Sequence, residues 1–296
     1  MKILIADSGS TKTHWAIVQN GKIIAKIKTQ GIHPVYQSRK TIKEILHTEL
    51  LGALPNGNTE QHILDEVYFY GTGCRNEWTG SMKDILSEIF PHTSKIETAS
   101  DLLGAARSVC GHQPGIACIL GTGSNSCIYD GKDIVENIPP LGYVLGDEGS
   151  GAVLGKLFFN ALFKGDLSLE IKEDYLRWSG LTYTDIINKV YGQPLANRFL
   201  ATASLYISEH LDSTALRNLV TANFRDFFQK NIRKYNYQNL PIGFVGSIAY
   251  VYASILKEVL AEEGCLLSQI VKSPIEGLVA FHVEKSLEKT KVHSMP

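Results

Sequence analysis

Two short glycine-rich segments of this chain contain the residue types that bind phosphate, and they look like copies of each other. The first spans residues 5–13 (IADSGSTKT) and the second spans residues 119–125 (ILGTGSN). Each follows an apolar run and leads into a second β-like run that stops at a hairpin signal, Asn20-Gly21 or Asp130-Gly131. Glycine at a tight turn lets backbone N–H groups approach an anion, and Ser and Thr hydroxyls add donors. The repeat therefore predicts two lobes that grip a phosphate chain between them.

Two aspartates stand at the ends of predicted strands in the first half. Asp7 opens the first hairpin, and a carboxylate there can hold the Mg²⁺ of a nucleotide, with a turn cap as the alternative. Asp101 follows a predicted strand and begins a predicted helix. It is therefore either the helix N-cap, which its position alone favours, or, in a phosphotransferase, the base that accepts a proton from the acceptor hydroxyl.

Two further segments combine small residues with the start of a helix. Residues 146–151 (GDEGSG) place two adjacent acids among glycines before a long apolar helix. They form a turn and helix start, or else Asp147 accepts hydrogen bonds from a polyol. Residues 245–249 (VGSIA) leave a strand and open a helix. Gly246 and Ser247 can lie flat against an adenine or ribose, with a plain strand–helix turn as the alternative.

The loops after two other strands are where an acceptor substrate is expected. Residues 31–34 (GIHP) contain His33, and residues 70–74 (YGTGC) contain Gly73. Ligands collect at the carboxyl ends of strands in α/β sheets. An ordinary loop histidine is nevertheless the commoner role for a residue placed like His33.

Composition limits the class of protein. The chain has 296 residues, a formal net charge of −1 and near-average apolar and charged content, which predicts a soluble globular protein and argues against a nucleic-acid partner. No apolar run has membrane-spanning length and no signal-peptide pattern is present, so we expect a cytoplasmic protein without membrane contact. The five cysteines form no C-x-x-C pair and no metal-like cluster.

The coarse pattern predicts an α/β protein. In the first half, strands near 2–7, 13–19 and 22–28 precede helices near 38–52, 80–89 and 101–110, with strands near 66–70 and 95–98 between them. The pattern restarts at Ile116, becomes helical from 149 to 234, and ends with strands near 242–245 and 269–272 and helices near 248–263 and from 274. We expect mixed sheets flanked by helices, with a lobe boundary near 111–115.

These pieces, in this order, resemble the actin-like ATPase superfamily, and more narrowly the N-acetylglucosamine kinase family within the group of benzoyl-CoA-reductase-type ATPases. The resemblance covers essentially the whole chain. It rests on residues 7–13 and 121–125 for the two phosphate loops, 100–106 for the catalytic aspartate, 146–150 for the sugar and 246–247 for adenosine. It implies a ribonuclease H-like fold of two similar lobes with a cleft between them. The lobes are expected at 1–112 and 113–296, with a helical insertion at about 150–235 and a last helix that returns toward the N-terminal lobe.

The family implies ATP-dependent phosphorylation of a sugar 6-hydroxyl, with ATP and Mg²⁺ required. Asp101 is then the base and Asp7 the metal ligand. The resemblance implies ATP contacts at Asp7, Gly9, Ser10, Thr11, Lys12, Thr122, Gly123, Gly246 and Ser247. It implies sugar contacts at His33, Gly73, Asp101, Ser124, Asn125, Leu141, Gly142 and Asp147.

Two residues depart from the family pattern, and several alternatives stay open. Ser10 replaces the usual second glycine of the first loop, and His33 stands where relatives have Asn. The acceptor is N-acetylglucosamine, glucosamine, N-acetylmuramic acid or glucose, and a homodimer is compatible with the chain. An ATPase that activates an electron-transfer enzyme and a sugar sensor are the rival functions. The ATPase function needs bridging cysteines, and the segment around Asp147 lacks them. For the sensor function, we expect a DNA-binding appendage in addition to the sugar-binding fold.

Overall fold

Each half of the chain builds one five-stranded mixed sheet, and the two sheets share one strand arrangement. The computed structural model describes residues 1–9, 11–54, 64–236 and 239–292, with side chains described as far as residue 284. The strands are β1 (Lys2–Ser8), β2 (Lys12–Gln19), β3 (Lys22–Gln30), β4 (Glu66–Gly71), β5 (Lys95–Ser100), β6 (Gly115–Leu120), β7 (Ser124–Tyr129), β8 (Ile134–Glu136), β9 (Ile242–Val245) and β10 (Leu267–Val271). The orders are β3-β2-β1-β4-β5 and β10-β9-β6-β7-β8. The second sheet thus repeats the first, as the two glycine-rich segments predict.

The helices alternate with the strands in the first half and cluster between β8 and β9 in the second. They are α1 (Arg39–Ile45), α2 (Glu77–Ile89), α3 (Asp101–Cys110), α4 (Gly142–Leu145), α5 (Gly151–Lys164), α6 (Leu169–Ser179), α7 (Tyr183–Tyr191), α8 (Ala196–Glu209), α9 (Thr214–Lys230), α10 (Ser247–Val251), α11 (Ala253–Glu262) and α12 (Ile275–Val292). No helix in the described part of the chain is both long and apolar enough to cross a membrane.

The contacts divide the chain into two compact units. The first unit contains the described residues of 1–113, 131–133 and 273–296, and the second contains those of 114–130 and 134–272. The first unit therefore includes the last helix, α12, which contacts β1, β2 and α3.

In the first unit, both faces of the central strand are buried, which is why β1 is almost continuously apolar. Leu4 and Ala6 belong to a core with α1 and α2 on one face, and Ile3 and Ile5 belong to a core with α12 on the other. Strand β1 is antiparallel to β2 and parallel to β4. Successive side chains of a strand point to opposite faces, so Asp7 continues the face of Ile3 and Ile5, and Ser8 the opposite one.

In the second unit, one large core joins the sheet to the helices. It contains Leu120 of β6 and Phe244 of β9 together with Phe158 of α5 and Phe227 of α9. Strand β6 is antiparallel to β7 and parallel to β9. The glycine-rich turn between β6 and β7 therefore lies at the edge of the sheet where β6 and β9 end.

Several element bounds differ from the sequence prediction. The helix expected at 38–52 ends at Ile45 and continues as a π-helical turn, Leu46–Leu50, and a 3₁₀ turn, Leu51–Ala53. The helix expected at 248–263 is divided at Tyr252, whose buried hydroxyl donates to the carbonyl of Ser204 at 2.6 Å. The pattern also missed the three-residue edge strand β8. Each difference reflects tertiary packing that overrides local propensity.

Candidate functional site

The first glycine-rich turn joins β1 to β2 and is held by buried hydroxyl groups. The N–H of Gly9 donates to the carbonyl of Lys12 at 3.0 Å and closes the turn. Ser8 and Thr13 are both fully buried, and their hydroxyl oxygens are 2.7 Å apart. The hydroxyl of Thr13 donates to the carbonyl of Gln30 at 2.9 Å. This buried pair fixes the base of the turn to the end of β3.

Ser8 also connects the first turn to two other loops. Its hydroxyl accepts from the N–H of Ile32 at 2.9 Å and donates to the carbonyl of Ile32 at 3.0 Å. Its carbonyl accepts from the N–H of Thr72 at 2.9 Å. One residue at the end of β1 therefore fixes the turn, the loop with His33 and the loop with Gly73 relative to one another.

The predicted ATP-binding residues of this turn differ in whether their hydrogen-bond donors are already used within the fold. The N–H of Gly9 is used within the turn, whereas the hydroxyl of Thr11 and the ammonium of Lys12 have no hydrogen-bond partner among the described residues. Ser10, also predicted to bind ATP, lies outside the described residues. Thr11 and Lys12 can therefore donate to a phosphate without breaking a bond of the fold.

Asp101 is the first residue of α3 and does not cap it. The N-cap is Ser100, whose hydroxyl accepts from the N–H of Leu103 at 3.2 Å. The Asp101 carboxylate instead accepts from the hydroxyl of Thr72 at 2.6 Å through Oδ2 and from the N–H of Leu102 at 2.9 Å through Oδ1. The cap, which position alone favoured, is thus wrong for Asp101. Its carboxylate is held in one orientation by two donors.

Thr72 is the residue that the sequence analysis missed. In the parallel pair β4 and β5, Gly71 lies opposite Ser100. The next residues, Thr72 and Asp101, therefore leave the sheet side by side at its carboxyl edge. The sequence did contain a signal for this contact, because a hydroxyl residue and a carboxylate residue each follow the end of a predicted strand. To infer the contact from that signal, one needs the register of the two strands.

Asp7 lies near Asp101, and the two carboxylates oppose each other electrostatically. Burial, together with the charge of Asp101, raises the pKa of Asp7 to about 7, and Lys12 acts in the opposite direction. The Asp7 carboxylate accepts no hydrogen bond from the described residues and is 20% exposed. The imidazole of His14 is 4.0 Å away, but burial and nearby lysines lower the pKa of His14.

This arrangement fits a divalent cation. A largely buried carboxylate with no hydrogen bond, close to a second carboxylate, is stabilised in its charged form by a cation. No group of three or more potential metal-ligating side chains occurs within the described ranges. Mg²⁺ bound through one or two carboxylates, substrate phosphates and water needs no such group.

His33 and Gly73 pack against each other in the first unit. Gly73 has a φ of +84°, and a Cβ there would lie 2.5 Å from Cε1 of His33. The imidazole also contacts the ring of Tyr36, with ring centroids 4.4 Å apart. Burial lowers the pKa of His33, and its Nδ1 is buried without a partner among the described residues. A neutral, tightly packed ring thus lies beside the loop that orients Asp101.

The second glycine-rich turn is held by the start of a helix. The N–H of Gly121 donates to the carbonyl of Gly123 at 2.9 Å. The carbonyls of Gly121 and Thr122 accept from the N–H groups of Gly151 and Ala152, the first two residues of α5, at 2.8 and 3.1 Å. The N–H groups of Thr122 and Gly123 and the hydroxyl of Thr122 have no partner among the described residues. These donors are available to an anion.

Gly246 comes into direct contact with this turn. Its φ is +126°, and a Cβ there would lie 2.2 Å from the carbonyl oxygen of Leu120. No side chain fits at this position, so the strand–helix turn after β9 approaches the glycine-rich turn as closely as two backbones can. Ser247 follows as the exposed first residue of α10.

Asp147 lies in a strained turn beside the same segment. Its φ is +54°, and its N–H donates to the carbonyl of Pro140 at 2.8 Å. The carboxylate accepts from the N–H of Ser124, and a Cβ on Gly123 would lie 3.0 Å from its Oδ2. Burial, reinforced by Glu148, raises the pKa of Asp147 to about 6.

The neighbouring acid has a structural role. Glu148 lies 3.4 Å from the ammonium of Lys230 and is mostly buried. Its other carboxylate oxygen accepts from the amide of Asn231 at 3.5 Å. Of the two adjacent acids, Asp147 is therefore the one with accepting capacity left for a ligand.

The other predicted sugar-binding residues of the second unit lie on β7 and in the loop before α5. The amide oxygen of Asn125 accepts from Asn137 at 2.9 Å, which leaves the Asn125 amide N–H group without a partner in the described chain. Ser124 is buried, and Leu141 and Gly142 are exposed, both with positive φ. The structure thus collects Thr122, Gly123, Ser124, Asn125 and Asp147 in one unit, and Asp7, His33, Gly73 and Asp101 in the other.

Comparison with known structures identifies the class of protein in two steps. The paired mixed sheets define an actin-like ATPase fold, as in a protein from Chromobacterium violaceum provisionally described as an N-acetylglucosamine kinase (20% identity, 95% and 98% of the two chains covered, TM-score 0.71). A ROK family glucokinase from Streptomyces griseus in complex with glucose and AMPPNP also shares the fold (16% identity, 95% and 98% covered, TM-score 0.53).

The family follows from a third structure. A protein from Porphyromonas gingivalis, also provisionally described as an N-acetylglucosamine kinase, is 46% identical to this chain. The match covers 96% of this chain and 99% of that one, with a TM-score of 0.93. This chain belongs to the N-acetylglucosamine kinase family, as the sequence motifs indicated. No protein-family model matches the chain, and neither does any curated protein.

Proposed function

We propose that this protein is an ATP-dependent kinase that phosphorylates the 6-hydroxyl of an amino sugar, with N-acetylglucosamine as the first candidate. The observation that carries the proposal is the Asp101 carboxylate. Thr72 and Leu102 donate hydrogen bonds to it at the carboxyl edge of a sheet. Ser100, and not Asp101, caps α3, and Asp7 lies near the carboxylate. Membership of the family, with 46% identity to one candidate kinase, supports the sugar as acceptor.

The donors left free by the fold support the following roles toward ATP. Thr11 and Lys12 would bind phosphate in the first unit, and the N–H groups of Thr122 and Gly123 in the second. Gly246 and Ser247 would contact adenosine. Asp7 would hold Mg²⁺, which supplies positive charge to the β- and γ-phosphates when bound. Phosphoryl transfer depends mainly on such positioning and charge neutralisation, because the protein has little covalent work to do.

The proton follows a defined route in this mechanism. The sugar O6 forms a bond to the γ-phosphorus while the bond from that phosphorus to the β,γ-bridging oxygen breaks, and ADP leaves. The proton of the 6-hydroxyl would pass to Asp101, whose carboxylate accepts a hydrogen bond from Thr72. An aligned, fixed carboxylate can accept that proton without first reorienting.

The sugar would be held mainly through the second unit. Asp147 has a carboxylate oriented by the Ser124 amide, and Asn125 has a free amide N–H group for a carbonyl or hydroxyl. The proposed sugar contacts also include Leu141, Gly142, His33 and Gly73. A carboxylate suits hydroxyl groups because it accepts without needing a donor of its own.

The test is ADP release from the purified chain with MgATP against N-acetylglucosamine, glucosamine, N-acetylmannosamine, N-acetylmuramic acid and glucose. We expect N-acetylglucosamine to give the highest kcat/KM, with phosphate on O6 by NMR. Asp101→Asn is the control that keeps the site's shape. Failure of every sugar to raise ADP release above the rate without sugar would contradict the proposal.

A further inference from the structure

A groove in the first unit lies next to the loop that contains His33. Its volume is about 390 Å³, and its walls come from the segment that follows His33 and from α2. Its apolar lining includes Val35, Tyr36 and Trp78 together with the buried side chains of Ile42 and Ile85. A groove of this size is in the range that accommodates small ligands. The role proposed above for the site uses none of these five side chains.

Several polar residues of the groove are already bonded within the fold. The amide of Gln37 accepts from the N–H of His33 at 2.8 Å and donates to the carbonyl of Gly31 at 3.0 Å. Ser38 caps α1, and the guanidinium of Arg39 pairs with Glu88. Glu88 also pairs with Lys43, so the Arg39 edge of the groove keeps a net positive charge.

The aromatic residues are not engaged in this way. The side chain of Tyr36 is 83% exposed. Neither its hydroxyl nor the indole N–H of Trp78, which is only half-buried, has a hydrogen-bond partner among the described residues. Large exposed aromatic rings in a concave site are typical of ligand-contacting surfaces rather than of cores. Such rings pack against the C–H faces of a neutral ring and leave its hydroxyls in water.

The groove borders the loop that contains His33, one of the proposed sugar contacts. The ring of Tyr36 contacts that of His33 with centroids 4.4 Å apart, and the same imidazole packs against Gly73. The adjacent Thr72 donates to Asp101 at 2.6 Å. A chain of direct contacts inside one unit thus leads from the groove to the proposed base.

We propose that this groove is a subsite for a second pyranose ring linked glycosidically to the acceptor sugar. The preferred acceptor is then a disaccharide or glycoside rather than the free monosaccharide. This inference rests on the proposed function, because it extends the same acceptor site. The aromatic walls favour a sugar ring, and the volume exceeds what a single acetyl group fills.

The test compares N-acetylglucosamine with its β-1,4-linked disaccharide, N,N′-diacetylchitobiose, as acceptors of the full chain. We expect the wild type to show a KM for the disaccharide about fivefold lower, the size of effect that one aromatic contact produces. Tyr36→Ala should abolish the preference, because the disaccharide KM rises more than the monosaccharide KM. Tyr36→Phe keeps the ring and should retain the preference.

A matched control comes from the second unit. Tyr191, at the end of α7, is 82% exposed, almost the same as Tyr36. Tyr191→Ala should leave the ratio of the two KM values unchanged. Equal KM values for the two sugars in the wild type, or equal effects of the two alanine variants on their ratio, would overturn the subsite.

Failure of the subsite and failure of the kinase can be told apart. If neither sugar is phosphorylated, the proposed function fails, and binding of the disaccharide is then measured by saturation-transfer NMR. The subsite predicts transfer to protons of both rings in the wild type and to one ring in Tyr36→Ala. Transfer to a single ring in the wild type would refute it independently of activity.

Discussion

The two glycine-rich turns have the same place in their sheets but differ in charge. The turn between β1 and β2 has Asp7 before it and Lys12 at its end, whereas the turn between β6 and β7 consists of Gly121, Thr122 and Gly123 and is neutral. The first therefore offers groups that interact with a cation and with phosphate charge. The second offers backbone N–H groups.

The two turns are also fixed by different means. Buried hydroxyls of Ser8 and Thr13 hold the first. The second is held by the first amides of α5, and it is pressed against Gly246. In the second unit the first N–H groups of α5 are thus bonded within the fold. The two similar hairpins therefore differ: one has charged side chains, and the other has neutral backbone donors.

The largest expected effect of a substitution is at Asp101. Asp101→Asn keeps the shape of the side chain but cannot accept the hydroxyl proton, so kcat should fall by about 10²–10⁴ while ATP still binds. Steady-state phosphorylation and nucleotide titration measure the two quantities. Ser100→Ala removes the cap of the same helix and should cost about 1 kcal/mol of stability with a far smaller loss of kcat. If Asp101→Asn kept a tenth of wild-type turnover, Asp101 would not be the base.

The difference in charge between the turns predicts separate effects for two aspartates. Asp7→Ala should raise the Mg²⁺ concentration for half-maximal activity at least about tenfold, because it removes the carboxylate that would hold the cation in the proposed mechanism. Asp147→Ala, the same change in the second unit, should leave the Mg²⁺ dependence as it is and raise the sugar KM. Activity is titrated with MgCl₂ at saturating sugar. An unshifted Mg²⁺ curve in Asp7→Ala would remove Asp7 from the surroundings of the metal.

The raised pKa of Asp147 makes sugar binding depend on pH. Its usual value is 3.8 and burial raises the pKa to about 6, so the carboxylate that accepts sugar hydroxyls is lost as the pH falls through 6. At pH 5 about a tenth remains ionised, and the sugar KM should be about tenfold higher than at pH 8. Asp147→Asn should show a high KM that varies much less with pH. Parallel pH profiles for wild type and variant would assign the titration to another group.

The raised pKa of Asp147 also affects the stability of the fold, and here the charged carboxylate is unfavourable. Because the folded pKa lies above the unfolded one, the folded state retains its proton longer. Asp147 therefore lowers the free energy of unfolding as the pH rises from about 4 through 6. Asp147→Asn should remove that loss, which urea unfolding at pH 4.5 and pH 7.5 measures. A residue that improves sugar binding is thus expected to weaken the ligand-free fold.

The sequence predicts those parts of the site that local chemistry determines. Asn20-Gly21 fixes the register of the β2–β3 hairpin, and both small-residue turns follow apolar runs, so the turns and most strand bounds could be located. Asp101 could not be separated from a helix cap, because the choice depends on which of two neighbours, Ser100 or Asp101, turns back toward the helix.

Contacts between distant segments could not be predicted in this way. Thr72 reaches Asp101 only through the pairing of β4 with β5, and Gly246 reaches Leu120 only through the pairing of β6 with β9. His33 was marked as a departure from its relatives, but its packing against Gly73 follows from the position of two loops that Ser8 connects. The contacts of Thr72 and Gly246 depend on strand registers that periodicity does not specify. The contact of His33 depends on the relative position of two loops, which periodicity does not specify either.

The smallest effect on activity is expected at Gly246, where the second turn and the turn after β9 approach each other closely. In Gly246→Ala the new Cβ would lie 2.2 Å from the Leu120 carbonyl oxygen, so β6 and the adjoining turn must shift. We expect a loss of about 2–3 kcal/mol in stability and a severalfold rise in the ATP KM. Gly180→Ala is the matched control: its φ is +66° and its Cβ meets no atom within 4 Å, so it carries backbone strain alone, about 1 kcal/mol, and no change in KM. Urea unfolding and ATP kinetics compare the two. Equal losses with an unchanged ATP KM would mean that the second turn keeps its geometry without Gly246, and that its rigidity comes from the α5 amides alone.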